Sequence, residues 1–163
     1  MFKDIIFYFK KCGTISAMFN MGMYSLILYR LGKYLYLSRL RKLNPIWYFY
    51  LIASSVLRAI THIEIPCTAN IGQRLFFVHS YGVVLGEVSI GDDCTIAPWV
   101  IIGHLNHNGN PIIGNKVYIG PKASVLGKIE IGDNCVIGAN ALVIKNMPKN
   151  SKALGMISSI KQI

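Results

Sequence analysis

Acidic residues and paired cysteines are scarce in this sequence of 163 residues. It has seven Asp and Glu against 17 Lys and Arg, and its four cysteines form no C-x-x-C pair. Scattered cysteines are typical of a reducing compartment and give no disulfide framework, zinc motif or redox motif. The near-apolar runs 16–29 and 46–57 are shorter than the roughly 18 to 20 residues that cross a bilayer. We therefore expect a cytoplasmic protein without a membrane-spanning helix.

Positive charge is concentrated near the N-terminus. Residues 1–60 hold nine Lys and Arg and one acid, a net +8 (9 − 1), whereas the remainder holds eight and six, a net +2 (8 − 6). The cations alternate with aromatic and aliphatic residues, a mixture that suits an anionic membrane surface better than nucleic acid. We therefore expect no nucleic-acid partner. Peripheral membrane contact through residues 1–60, at the inner face of the plasma membrane, is one hypothesis, and a helical cap with a basic polar face is the other.

Two helices are predicted in this basic region, over 14–37 and 45–61, with a shorter one over 3–11. Pro45 is well placed for the first turn of the second helix, because its missing N–H would be unpaired there in any residue. The prediction divides the chain into an α-helical N-terminal cap, 1–61, and a second domain, 62–163.

The second domain contains a repeat of six residues. Branched apolar residues recur at Ile113, Ile119, Val125, Ile131, Ile137 and Val143, upstream at Val84, Ile90, Ile96 and Ile102, and before a one-residue slip at Ile65, Ile71 and Phe77. Mostly small residues follow four positions later at Ala69, Cys94, Val100, Val117, Ala123, Cys135 and Ala141. This period fits neither a helix nor a simple strand, but short strands joined by tight turns, three per coil. It predicts a mainly β fold, a left-handed parallel β-helix of about four coils, with Cys94 and Cys135 as core residues.

The repeat is irregular at two places, and both contain histidine. Ile102 and Ile113 are eleven residues apart, so the polar loop 103–111 is extruded between them. The slip lies beside His79-Ser80-Tyr81-Gly82. Long loops on a rigid scaffold commonly carry function, so we expect the site at these irregularities.

Residues 64–157 resemble the serine acetyltransferase group of hexapeptide-repeat acyltransferases. The resemblance is carried by Ile71-Gly72, the segment from His79 to Glu87, the run 113–138 and Ala153-Leu154-Gly155. It implies an O-acetyltransferase that uses acetyl-CoA and no metal, with His79 as catalytic base and Glu64, fifteen residues earlier, as its partner. The chemistry agrees, because an alcohol needs a base near pH 7 to attack a thioester, and a carboxylate fixes the tautomer of that base.

Two departures from the serine-specific pattern concern the acceptor. Val78 stands where those enzymes have an acid, and Gly109-Asn110 stands where they have an Arg-His pair before the proline that closes the loop. The sequence is therefore interpreted as closer to the capsule and exopolysaccharide (colanic-acid-type) subgroup. That subgroup implies a sugar or polysaccharide acceptor, which can be lipid-linked, with Tyr81, Asn106, His107 and Asn108 as substrate-binding candidates. Serine, as in cysteine biosynthesis, is the alternative acceptor.

The resemblance also implies where acetyl-CoA binds. The pantetheine arm would lie in a groove between neighbouring β-helices of a homotrimer, and the cap could pair two trimers into a hexamer. The cofactor-binding candidates are Gly103, His104, Gly120, Pro121 and Ala139, with Lys122 and Lys145 as cations for the phosphates.

Two remote alternatives remain. One is a zinc enzyme of the γ-carbonic-anhydrase kind with His79, His104 and His107 as ligands. The other is a non-catalytic scaffold on a degenerate repeat.

Overall fold

The computed structural model describes residues 2–38, 44–106 and 108–155. Of the predicted site residues, only His107 lies outside this part of the chain. Within these ranges, four helices come first: α1 (Phe2–Cys12), α2 (Thr14–Met18), α3 (Met21–Leu37) and α4 (Pro45–Thr61). The bounds of α4 confirm the prediction, and α1 confirms the short helix expected over 3–11.

The prediction of one unbroken helix over 14–37 is wrong. The chain leaves the helical conformation at Asn20, whose Oδ1 accepts a hydrogen bond of 3.1 Å from the backbone N–H of Met23. Asparagine at this N-cap position satisfies one of the first free N–H groups of α3, which begins a new helix. Gly13 precedes α2 with a φ of +78°, so α1 and α2 are also separated by a turn.

In the described part of the chain, thirteen short strands follow the helices. They are β1 (Asn70–Ile71), β2 (Phe76–Phe77), β3 (Val84–Leu85), β4 (Ser89–Ile90), β5 (Thr95–Ile96), β6 (Ile101–Gly103), β7 (Ile112–Ile113), β8 (Tyr118–Ile119), β9 (Ser124–Leu126), β10 (Glu130–Ile131), β11 (Val136–Ile137), β12 (Leu142–Val143) and β13 (Lys152–Ala153). They form three parallel sheets: sheet 1 has the order β1-β4-β7-β10, sheet 2 the order β13-β11-β8-β5-β2, and sheet 3 the order β12-β9-β6-β3.

This topology confirms the predicted parallel β-helix. From β1 to β12, successive strands belong to successive sheets, and strands three apart along the chain pair in parallel, as β4 does with β7. The last strand, β13, departs from this order and pairs with β11 in sheet 2. The repeat residues point inward; Ile96, Ile102 and Ile119 are fully buried. The small residues also lie in the core, where Cys94 and Cys135 are fully buried, so their prediction as core residues is confirmed.

The assignment of Val84 to the inward repeat is wrong. Val84 is 41% exposed, whereas Val83 and Leu85 are 1% and 2% exposed. The inward residue is therefore Leu85, eight positions after Phe77 and five before Ile90. The turn before β3 has gained two residues and the turn after it has lost one, so the irregularity is larger than the predicted slip. The extra residues lie next to His79.

The helices cover the open end of the β-helix and supply hydrogen-bond partners to its first coil. The buried Tyr29 hydroxyl donates to the carbonyl of Ala69 (2.8 Å) and accepts from the N–H of Ile71 (3.2 Å). The hydroxyl of Tyr8 likewise accepts from the N–H of Phe77 (3.0 Å). Unpaired N–H and C=O groups at a sheet edge would otherwise be buried without partners.

An ion pair on the same interface fixes the first helix. Asp4, 2% exposed, accepts from Nε of Arg30 (3.2 Å) and from the backbone N–H of Arg74 (2.9 Å). The Arg30 guanidinium also donates to the carbonyls of Ile71 and Gly72. This network joins α1, α3 and the turn between β1 and β2.

Candidate active site

One corner of the β-helix carries His79, and we call it the His79 corner. It consists of the turns that join sheet 2 to sheet 3: residues 78–83, 97–100, 120–123 and 138–141. These turns stack, because the N–H of Lys122 donates to Pro98 O (2.9 Å) and the N–H of Asn140 donates to Pro121 O (2.9 Å). The turn with His79 is the first of the stack, next to the helical cap.

The His79 side chain is exposed, and its backbone has a φ of +48°. Trp99, Lys122 and Asn140 have φ values of +62°, +59° and +57° at this same corner. These three residues stack on Gly82, whose φ is +67°, because the N–H of Trp99 donates to Tyr81 O at 3.3 Å. The left-handed conformation of Gly82 belongs to the repeating turn, and that of His79 is an additional feature of the first, longer turn. Among the described residues, no hydrogen bond to the His79 imidazole is found, so its ring is accessible to a substrate.

Glu64, the predicted partner of His79, lies at the start of the first coil. Its backbone bridges to Val84 in β3. Its carboxylate contacts Nη1 of Arg58 at 3.4 Å, and the two side chains are 51% and 55% exposed. No hydrogen bond between Glu64 and His79 is found in the described part of the chain, so the catalytic pair stays a prediction.

Aromatic side chains surround the His79 turn. The rings of His62 and Tyr81 are 5.0 Å apart, and those of Tyr81 and Trp99 are 5.1 Å apart with an edge-to-face angle of 71°. Tyr81 is 39% exposed and Trp99 is 50% exposed. Trp99 and His62 have no signal of their own in the sequence, because only the stacking of coils brings them beside Tyr81.

The turn before β3 is also tied to the helical cap. Oγ of Ser80 donates a hydrogen bond of 2.7 Å to Oδ1 of Asn20, the N-cap of α3. Asn20 and Arg58, which contact the turn and Glu64 from the helices, were not expected as site residues. The role of these two residues depends on long-range contacts, which a single sequence does not reveal.

The acetyl-CoA candidates are divided between two corners. Gly120, Pro121, Lys122 and Ala139 lie at the His79 corner, where a Cβ on Gly120 would be 2.8 Å from the backbone nitrogen of Ala139. That contact explains the glycine. Lys145 follows β12 at the corner that joins sheet 3 to sheet 1, so Lys122 and Lys145 are not neighbours within one chain.

Gly103 ends β6 at this other corner, and His104, Asn106 and Asn108 follow in the exposed loop. A Cβ on Gly103 would meet no atom within 4 Å, so there is open space beside its backbone. The loop is closed by a hydrogen bond of 3.1 Å from Asn108 N–H to Leu105 O. Tyr81 lies at the His79 corner, across sheet 3, so the structure does not bring it to Asn106 and Asn108 within one chain.

Asn110, at the end of the loop, has an Oδ1 atom that is buried without a hydrogen-bond partner. A buried acceptor without a donor is costly and is commonly explained by a missing partner. It occupies one of the two positions in which the chain departs from the serine-specific Arg-His pattern.

The other titratable groups give little chemistry. Burial raises the pKa of the Cys94 thiol to about 11, so little reactive thiolate is present at neutral pH. In the described ranges, no group of three or more His, Cys, Asp or Glu side chains is arranged to hold a metal ion. His79 and His104 lie at different corners of the β-helix.

The sequence is similar to known transferases along most of its length. The family described as bacterial transferase hexapeptide (six repeats) matches residues 110–145. The serine acetyltransferase of Helicobacter pylori (strain ATCC 700392 / 26695) is 42% identical over 141 residues, which cover 82% of this chain and 77% of that protein. The serine acetyltransferase of Staphylococcus aureus (strain Mu50 / ATCC 700699) is 42% identical over 107 residues, 63% of this chain and 50% of that protein.

Solved structures of serine acetyltransferases are also similar to this chain. Soybean serine acetyltransferase complexed with serine has a TM-score of 0.81 and 26% identity, with 94% of this chain and 65% of that chain covered. A serine acetyltransferase in complex with CoA has a TM-score of 0.79 and 26% identity, with 93% of this chain and 64% of that chain covered. This chain thus spans slightly less than two thirds of those two structures. These similarities give no support to the predicted closer relation with the capsule and exopolysaccharide subgroup. The chain belongs to the hexapeptide-repeat acyltransferases, and the relatives that show its membership are serine acetyltransferases.

Proposed function

We propose that this protein is an acetyl-CoA-dependent O-acetyltransferase whose acceptor is the hydroxyl of L-serine. The observation that carries the proposal is the 42% identity to a serine acetyltransferase over 82% of the chain. The exposed His79 in the first turn of its corner is in keeping with this activity. The acceptor differs from the sugar that the sequence analysis favoured.

His79 supplies the base in this proposal. Its imidazole takes the proton of the serine hydroxyl while the oxygen attacks the thioester carbonyl of acetyl-CoA. The C–S bond then breaks, and the imidazolium returns the proton to the departing sulfur. O-acetylserine and CoA leave, and no covalent enzyme intermediate is needed.

The pantetheine arm would pass Gly103, where the open space beside the backbone leaves room for an extended chain. Lys122, exposed at the His79 corner, is the cation that we assign to the phosphates. Gly103 and Lys145 both lie at the opposite edge of sheet 3, so they would meet the same molecule as Lys122 only from a neighbouring protomer.

The division of the candidates between two corners favours a site shared by protomers. Sheet 3 separates the His79 corner from the loop, and its outward side chains Val84, Ile101 and Leu142 are 41%, 46% and 64% exposed. An exposed apolar sheet face suits contact with another copy. We therefore propose a homotrimer with three shared sites, and native mass measurement tests it.

A neutral sugar hydroxyl is the second candidate acceptor. Residues 104–111 contain no Lys, Arg, Asp or Glu, and Val78 replaces the acid found before the catalytic histidine in serine-specific members. The charged ends of serine therefore have no ion-pair partners in this loop. Tyr81 and Trp99 offer exposed aromatic faces beside His79, which suit the apolar faces of sugar rings.

The test is thiol release from acetyl-CoA by the purified protein, with L-serine and, separately, with a panel of oligosaccharides. The matched variants are His79→Asn and His62→Asn, because both residues have left-handed φ values, +48° and +55°, that asparagine tolerates. Serine turnover that His79→Asn abolishes and His62→Asn retains supports the proposal. Turnover only with a glycan would instead establish a sugar as the acceptor. Absence of turnover with either acceptor would favour the hypothesis of a non-catalytic scaffold.

A further inference from the structure

Helix α4 turns apolar side chains outward, which is unusual for a surface helix of a protein surrounded only by water. Its most buried residues are Tyr50 and Thr61, at 6% and 2% exposed. Its outward face is formed by apolar and aromatic side chains: Ile46 (53% exposed), Tyr48 (55%), Phe49 (69%), Ile52 (66%), Val56 (54%) and Ile60 (59%). We call these six residues the α4 face. A surface helix normally buries such residues and turns its polar groups to solvent.

The α4 face is large and uncharged. Arg58 is the only charged residue among the 17 of α4, and it is engaged with Glu64 beside the β-helix. The helix is about 25 Å long at 1.5 Å per residue, so six large side chains line most of its length. Contiguous apolar surface of this extent marks an interaction site rather than scattered exposure.

Other helices of the cap also expose large apolar side chains. Ile15 and Phe19, at α2, are 76% and 77% exposed, and Tyr34 and Leu37, late in α3, are 77% and 73% exposed. The apolar character is therefore a property of the helical cap and not of one helix.

We infer that the α4 face docks on an anionic lipid surface, with α4 lying parallel to it. Charge favours a lipid surface over a second copy of the chain. Residues 1–60 carry nine Lys and Arg against one acid, and that acid, Asp4, is buried with Arg30. Two copies joined through their caps would bring like charges together, whereas anionic headgroups would neutralise them.

The distribution of these cations supports the same occupant. Arg39, Arg41 and Lys42 come shortly before the α4 N-cap Asn44 in the sequence. An interfacial helix combines apolar and aromatic side chains that enter the headgroup region with neighbouring cations that meet lipid phosphate. In the described ranges, no helix is long and apolar enough to span a membrane, so contact would be with one leaflet.

The test is sedimentation of the full chain with vesicles of phosphatidylglycerol and phosphatidylcholine, and with pure phosphatidylcholine vesicles, at low and high salt. The double variant Ile52→Gln/Ile60→Gln removes two side chains of the α4 face. Its matched control, Ile112→Gln/Ile144→Gln, changes two isoleucines of the β-helix that are 55% and 48% exposed. Circular dichroism and native mass of each variant check folding and assembly.

We expect binding to the anionic vesicles that salt weakens, little binding to neutral ones, and about a tenfold or greater loss in the α4 variant alone. Absence of binding at low salt overturns the inference. Equal binding by the α4 variant, or equal loss in the control pair, overturns it as well. A lower native mass of the α4 variant without vesicle binding would assign the α4 face to contact between copies instead. None of these readouts depends on the acetyl acceptor.

Discussion

The hydroxyl of Ser80 is joined to the side-chain oxygen of Asn20 by a hydrogen bond of 2.7 Å. Asn20 begins α3, and Ser80 follows His79, so the helical cap directly holds the turn that carries the proposed base. Asn20 also accepts from the N–H of Met23. The Asn20 side chain therefore caps the start of α3 and also restrains the first turn of the His79 corner.

Ser80→Ala removes the hydrogen bond to Asn20 and a longer one of 3.5 Å to Phe77 O. We expect a several-fold fall in kcat with little change in the KM for acetyl-CoA. The loss of one hydrogen bond costs about 1 kcal/mol in the free energy of unfolding. Ser80→Thr keeps the hydroxyl and should recover kcat. Asn20→Ala also removes the helix cap, so its free energy of unfolding should fall by a further 0.5–2 kcal/mol or so. Wild-type kcat in Ser80→Ala would contradict the positioning role.

The Arg58–Glu64 contact gives a prediction about the catalytic pair. If the Glu64 carboxylate orients His79 during the reaction, Glu64→Gln should lower kcat about tenfold or more while the KM for acetyl-CoA stays unchanged. Arg58→Gln is the matched control, because it frees the carboxylate and should leave kcat unchanged or raise it. Both side chains are about half exposed, so each variant should change the free energy of unfolding by less than about 1 kcal/mol. Equal kcat in Glu64→Gln and wild type would leave Glu64 as a surface residue paired with Arg58.

The β-helix could be predicted because its core imposes a period that no helix or ordinary strand shares. Ile96 and Ile119 must point inward at each coil, and small residues such as Ala123 must fit beside them. Val84 was misassigned because apolar residues occupy three consecutive positions there, 83 to 85. Only pairing with the next coil decides which of them faces inward, and that pairing is a long-range contact.

The site was predictable in its irregularities but not in its contacts. The insertion beside His79 and the loop that follows Gly103 interrupt the repeat, so the sequence reveals both. The break at Asn20 has a local signal, because asparagine is favoured at an N-cap. The ion pair of Arg58 and the ring of Trp99 beside Tyr81 instead depend on how helices and coils pack. Local propensity carries no information about them.

Lys122 and Lys116 lie at different corners of the β-helix and can therefore test which corner binds acetyl-CoA. Both are exposed, with φ values of +59° and +55°, but Lys116 lies in the turn between sheet 1 and sheet 2, away from the His79 corner. Lys122→Gln should raise the KM for acetyl-CoA about three- to tenfold, because one charge opposite a phosphate is lost. Lys116→Gln should leave it unchanged. Equal KM values in steady-state assays of the two variants would remove Lys122 from the proposed path.

Asp93 and Arg74 should make stability depend on acid pH. Arg74 donates from Nε and Nη2 to Asp93 at 2.5 and 2.7 Å, and these bonds hold the pKa of the Asp93 carboxyl below its ordinary value. A lowered folded-state pKa contributes stability above the unfolded value of about 3.9, which is lost as the pH falls through the folded value.

Asp93→Asn should therefore be less stable than wild type at neutral pH, and the difference should shrink as the pH falls below about 3.9. Asparagine tolerates the φ of +60° at this position, so the backbone is not strained. Urea unfolding between neutral and acid pH measures the effect. Glu87→Gln, which removes an exposed acid outside this ion pair, should show no such convergence, and parallel curves for Asp93→Asn and wild type would contradict the prediction.

Tyr29 tests how much the cap stabilises the first coil. Tyr29→Phe keeps the buried ring but leaves the N–H of Ile71 without its hydroxyl acceptor, and it removes one donor from Ala69 O. An unsatisfied buried polar group costs about 1–3 kcal/mol, so the free energy of unfolding should fall by that amount. Tyr24→Phe removes an exposed hydrogen bond of 2.7 Å to Met18 O and should cost no more than about 0.5 kcal/mol. Denaturant unfolding of the two variants decides the point: equal losses would mean that water reaches the first coil, and that the helices cover it without completing its hydrogen bonds.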